Sequence, residues 1–80
     1  MAALGGLVAG VAHELNTPLG NGVMAVSAMA EATRGFTQAM QGGLKRADLQ
    51  HWVASVEQGV DIAGRNLRRA AELVHSFKQV

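Results

Sequence analysis

Residues 49–77 read LQHWVASVEQGVDIAGRNLRRAAELVHSF, and their spacing decides the fold. Leu49, Val53, Val56, Val60, Ala63, Leu67, Ala70, Val74 and Phe77 follow one another in steps of four and three. That is the seam of a coiled-coil-like helix, held over about four heptads. Gln50, Glu57, Asp61, Arg65, Arg68 and Glu72 fall off the seam, as solvated positions should. The spacing predicts a helix over about residues 48–80.

Working back from this helix, Gln41, Gly42 and Gly43 supply a stop signal, because glycine accepts the positive φ that ends many helices. Asp48 then lies in the first turn of the second helix, where a negative charge suits the helix dipole. Upstream, Leu4, Leu7, Val8, Val11, Leu15, Leu19, Val23, Val26 and Ala30 also recur at steps of mostly three and four. They predict a first helix over about residues 4–40, despite Pro18 and the glycines at 5, 6, 10, 20 and 22. Each glycine costs roughly 0.5–1 kcal/mol relative to alanine, so tertiary packing has to hold this helix. A connection over about residues 41–47 makes the pair antiparallel. The expected fold is all-α: one domain, 1–80, forming a two-helix hairpin.

Composition sets limits on what the hairpin can be. The chain has 80 residues, 49% of them hydrophobic but only 4% aromatic. A chain this short buries little surface and usually needs a staple or a partner. Cysteine is absent, which removes disulfides and thiolate metal sites. A homodimer closing a four-helix bundle is the expected remedy. The formal charge of +1 argues against nucleic acid as a partner. Lys45, Arg46, Arg65, Arg68 and Arg69, interspersed with acids, read as solvated helix faces. The early apolar stretch over residues 2–12 falls short of the about 20 residues a bilayer span needs, and it lacks a basic leader. No direct membrane insertion is expected, and the chain reads as soluble.

The chemistry concentrates at GVAHELNTPLG, residues 10–20. His13 lies about 155° from the centre of the first apolar stripe and Thr17 about 40° round from it, so both should face solvent. Small residues, Gly6, Ala9, Gly10 and Gly20, flank this face before Met24. Pro18 lacks an N–H and crowds the Glu14 carbonyl, so a bend after His13 is expected rather than a break, since apolar periodicity resumes at Leu19. His-Glu-x-x is the start of a zinc-protease motif, but the second histidine is missing: position 17 is Thr. No metal site is expected.

The same residues resemble the phosphoacceptor motif of sensor histidine kinases, in their dimerisation and histidine-phosphotransfer domain. That motif is a histidine, an acid, two variable positions, Thr or Asn, then Pro and Leu. His13, Glu14, Thr17, Pro18 and Leu19 match it in order, while Asn16 stands where many members carry Arg or Lys. The closing segment NLRRAAELVHSFKQV, residues 66–80, is also similar to the end of such domains. The resemblance implies that His13 accepts a phosphoryl group from ATP and passes it to an aspartate of a response regulator. It implies that Glu14 orients the imidazole and takes its proton. Thr17 would position water for the reverse job, dephosphorylation of the regulator. Nothing in the chain resembles the family's nucleotide-binding domain. ATP and Mg²⁺ are therefore expected to arrive on a separate catalytic domain, with no cofactor held here and no autophosphorylation by this chain alone. The competing reading is a non-catalytic helical dimerisation module that only transmits a signal.

Overall fold

The computed structural model describes the backbone of residues 2–78 and the side chains of residues 8–78. It has two helices, α1 (Ala2–Gly42) and α2 (Arg46–Lys78), packed as a hairpin, with no strand among the described residues. The connection is shorter than the sequence predicts, because α1 continues to Gly42 and α2 starts at Arg46. Gly43 ends α1 with a φ of 103°, the left-handed conformation expected of that glycine pair. The Lys45 backbone N–H donates to Asp48 Oδ2 at 3.1 Å, and the Asp48 N–H donates back to the Lys45 carbonyl at 3.0 Å. Asp48 thus caps α2 as well as facing its dipole.

The helices touch along a stripe that coincides only in part with the apolar pattern. On α1 the inward positions are Val11, Leu15, Pro18, Gly22, Ala25, Met29, Ala32, Phe36 and Ala39, all buried or half-buried. They step by four and three without a slip. On α2 the matching set is Trp52, Ser55, Gly59, Ile62, Asn66, Ala70, Leu73 and Phe77. Most are small. Pro18, Gly22, Ala25, Gly59, Ala63 and Ala70 are the buried residues of the described chain, and no large side chain is fully buried.

Cross-hairpin contacts at three levels fix the antiparallel register. Phe36 stacks on Trp52 near the connection, with ring centroids 5.1 Å apart. The Trp52 indole N–H donates to Thr33 Oγ1 at 2.9 Å, and Thr33 Oγ1 donates to the Met29 carbonyl at 2.8 Å. Next, Met29 lies across Gly59, filling the space a Cβ there would take. Beyond it, Asn21 Nδ2 donates to Asn66 Oδ1 at 3.2 Å.

The predicted α2 seam is therefore split: Ala63 and Ala70 are buried and Val56 and Phe77 half-buried, while its larger Leu and most of its Val residues face outward. Leu19, Val23 and Val26 on α1 are exposed, and so are Leu49, Val53, Val60, Leu67 and Val74 on α2, with Val23 at 65% and Leu67 at 56%. These residues sit one position around from the contact stripe on each helix. In an antiparallel pair those flanks lie on the same side. The hairpin is a flat layer, 62 × 17 × 12 Å, with one broad face rich in Leu and Val and uncovered within the chain. Leu4, Gly5, Gly6 and Leu7 lie outside the described side chains, and residues 79–80 outside the described residues.

Two glycines should answer oppositely to alanine. Gly35 has open space where its Cβ would go, so Gly35→Ala should stabilise by about 0.5–1 kcal/mol through helix propensity. At Gly59 the same change drives a methyl into Met29 and should destabilise by about 1–3 kcal/mol. Thermal and urea melts followed by helical circular dichroism measure both, and a stabilised Gly59→Ala would contradict the close contact.

Candidate phosphoacceptor site

α1 runs unbroken through Pro18, so the motif sits on continuous helix, with the proline ring buried at the contact with α2. The missing proline N–H leaves the Glu14 carbonyl without its helical donor. Pro18 can be carried here because its ring fills the contact, beside the small inward residues Gly22 and Ala25.

His13, Glu14 and Thr17 are all exposed, as the helical geometry predicts. They border an open groove between the helices together with Pro18, Asn66, Arg69 and Leu73. The groove lies on the face opposite the Leu and Val stripe. Its surroundings differ from the sequence reading in one respect. Met24, expected near His13, instead lines the next groove along, with Asn21, Ala25, Ala28, Ser55, Gln58, Gly59 and Ile62. Gly20 and Gly10 are exposed beside open space, which keeps the outer side of His13 bare.

The groove also contains a residue that the sequence alone left on a solvated face. Asn21 and Asn66 pair across the hairpin. Three residues back along α1 is Pro18, and three residues on along α2 is Arg69, so the register brings Arg69 to the motif. Its guanidinium approaches Glu72 Oε2 only at 3.7 Å, and both side chains are largely exposed. Such a pair holds its members weakly. Asn66 is itself tied down, its Nδ2 donating to the Ile62 carbonyl at 2.8 Å. The available signal for Asn66 was a polar residue among Ile62, Ala70 and Leu73, a placement that commonly sets register.

Chemically, the groove offers an accessible imidazole, an adjacent carboxylate, a hydroxyl one turn on and a guanidinium from the other helix. Among the described residues, no three His, Cys, Asp or Glu side chains group as a metal site requires. No described helix is long and apolar enough to cross a membrane. Comparison with models of protein families, with curated proteins and with solved structures gives no match. The functional reading therefore rests on the motif and its geometry.

Pro18→Ala tests how the site is built into the helix. It restores a donor to the Glu14 carbonyl and removes a ring clash, together up to about 3 kcal/mol. It also loses apolar burial at the contact, about 1 kcal/mol. The melting temperature should rise, and a fall would show that the buried ring matters more than the helix it interrupts.

Proposed function

We propose that this chain is the dimerisation and phosphoacceptor hairpin of a two-component sensor histidine kinase. The supporting observation is the placement of His13, Glu14 and Thr17 together on the exposed rim of one groove, on a helix that continues through Pro18. A helix that only dimerised would have no use for this constellation beside a costly proline.

In this reading a His13 ring nitrogen attacks the γ-phosphorus of ATP held by a separate catalytic domain. The new N–P bond forms as the bond from γ-phosphorus to the bridging oxygen breaks, and ADP leaves. The other ring nitrogen gives up its proton to the Glu14 carboxylate, which balances the charge forming on the imidazole. Mg²⁺ travels with the nucleotide, because phosphoryl transfer depends on positioning and on stabilising charge. The phosphoryl group then moves to an aspartate of a response-regulator receiver domain, which docks against the exposed His13 rim. For the reverse reaction, the Thr17 hydroxyl holds a water in line with the aspartyl-phosphate bond. Attack by that water releases the carboxylate and inorganic phosphate. Such a domain works in the cytoplasm, whether or not the whole protein is anchored to a membrane.

Dimerisation belongs to the same proposal. A stable domain needs two packed layers, and this hairpin is one layer. A second copy laid on the Leu19–Val23–Val26 and Val53–Val60–Leu67 face closes a four-helix bundle and leaves His13 outside.

Incubation with a sensor-kinase catalytic domain and radiolabelled ATP should place an acid-labile, alkali-stable label on the chain. His13→Gln should abolish it, and label on His51 or His75 would refute the assignment. Glu14→Gln should slow labelling about 10²-fold or more without unfolding an exposed position. An unchanged rate would return Glu14 to the solvated surface.

Sedimentation of the unmutated chain should show a dimer. Leu67→Ala should weaken it by about 2–5 kcal/mol. In a monomer this half-exposed side chain would hardly matter, so a concentration-independent melt in both proteins would exclude the bundle.

A further inference from the structure

We infer that Arg69 is a phosphoryl-binding residue, reaching across the hairpin to hold the oxygens of a phosphoryl group carried by His13. The inference rests on the phosphoacceptor reading of His13 and adds a group from the second helix to it. Three observations support it. Arg69 borders the same groove as His13, Glu14 and Thr17 and is the only Lys or Arg among the described residues that line it. Its tie to Glu72 is long and exposed, so the guanidinium is available to a better acceptor. Its position is set by the Asn21–Asn66 pair and the buried Pro18, so it is brought to the motif by the fold.

The other arginines nearby are differently placed. Arg65 is engaged with Asp61 at 2.9 Å. Arg68 borders a depression on the outer side of α2 with Val56, Glu57, Val60, Asp61 and Gly64, away from His13. The chemistry needs a cation at this point. A phosphoryl group on His13 carries about two negative charges beside the Glu14 carboxylate. A planar guanidinium opposite can take two of its oxygens at once. Glu14 and Arg69 then act with opposite sign on the phosphorylated ring, and both are groove residues.

Phosphoramidate tests this without a kinase domain. Its phosphorus–nitrogen bond breaks as a His13 ring nitrogen forms the new one, and ammonia leaves with the ring proton. Phosphorus-31 NMR of the 80-residue chain then follows the phosphoryl signal of each histidine as pH is varied. His51 is the internal reference, because its groove brings Glu31 and Asp48 but no arginine. A nearby cation favours the more negative phosphoryl form and opposes protonation of the ring. The phospho-His13 midpoints should therefore lie about 0.5 pH unit lower in the unmutated chain than in Arg69→Gln, a threefold change in proton affinity typical of exposed charge pairs. Arg69→Lys should keep most of the shift, and Arg68→Gln all of it. Helical circular dichroism on each variant checks the fold.

Equal His13 midpoints in the unmutated chain and Arg69→Gln would overturn the role of Arg69 while leaving the ATP-labelling result to stand alone. A shift of the same size in Arg68→Gln would also overturn it, since any cation on α2 would then suffice. Labelling of His51 but not His13 would overturn both the phosphoacceptor reading and the site built on it.

Discussion

The contact between α1 and α2 depends on keeping two backbones close, and small residues meet that need. Met29 can lie across α2 only because position 59 has no side chain, and Ala25, Ala63 and Ala70 are buried with little to bury. Apolar burial stabilises in proportion to area, at about 25 cal/mol per Å², so this stripe supplies register more than free energy. The larger Leu and Val residues are displaced one position around each helix. Leu19, Val23, Val26, Val53, Val60 and Leu67 lie off the close-approach positions and gather on one broad face of the layer. Everything else about the hairpin follows from that division.

One consequence is that the two faces do different work. The Leu and Val face has no cover among the described residues, and in the proposed dimer it becomes the bundle core. The opposite face is grooved and polar, with the Asn21–Asn66 bridge, the His13 rim and Arg69 along it. On the proposed function, covering the first face leaves the second open to a catalytic domain or a receiver domain. Polar contacts across the hairpin, Trp52 to Thr33 and Asn21 to Asn66, hold the register that the small residues between them would let slip.

The same division explains what the sequence could and could not reveal. The helices, the Gly43 stop and the Asp48 cap were legible because each rests on local chemistry. The seam from Leu49 to Val74 was legible as a stripe but not as to what it faces, because a heptad pattern marks an apolar face without naming its partner. The true intrachain stripe contains Pro18, Gly22, Gly59 and Asn66, residues that read as helix weaknesses or surface positions. Their smallness, or their hydrogen bonding, is what fits them for the contact. For the site, helical geometry predicted the exposure of His13 and Thr17. Arg69 was out of reach, since its approach depends on the register between residues far apart in sequence.

Pro18 joins the two halves of this account. Its ring is one of the few buried groups at the helix contact, and its missing N–H frees the Glu14 carbonyl in the turn that carries His13. A proline on an outer face would loosen the helix and gain nothing from packing. One inside the contact loosens the turn while its ring keeps that turn seated against α2. The His13 turn is therefore weakly held along its own helix but anchored sideways, opposite Arg69. On the proposed function, a turn held in that way can alter the angle of His13 between an incoming ATP and a docked regulator without sliding the hairpin, because the Asn21–Asn66 and Phe36–Trp52 pairs still hold its register.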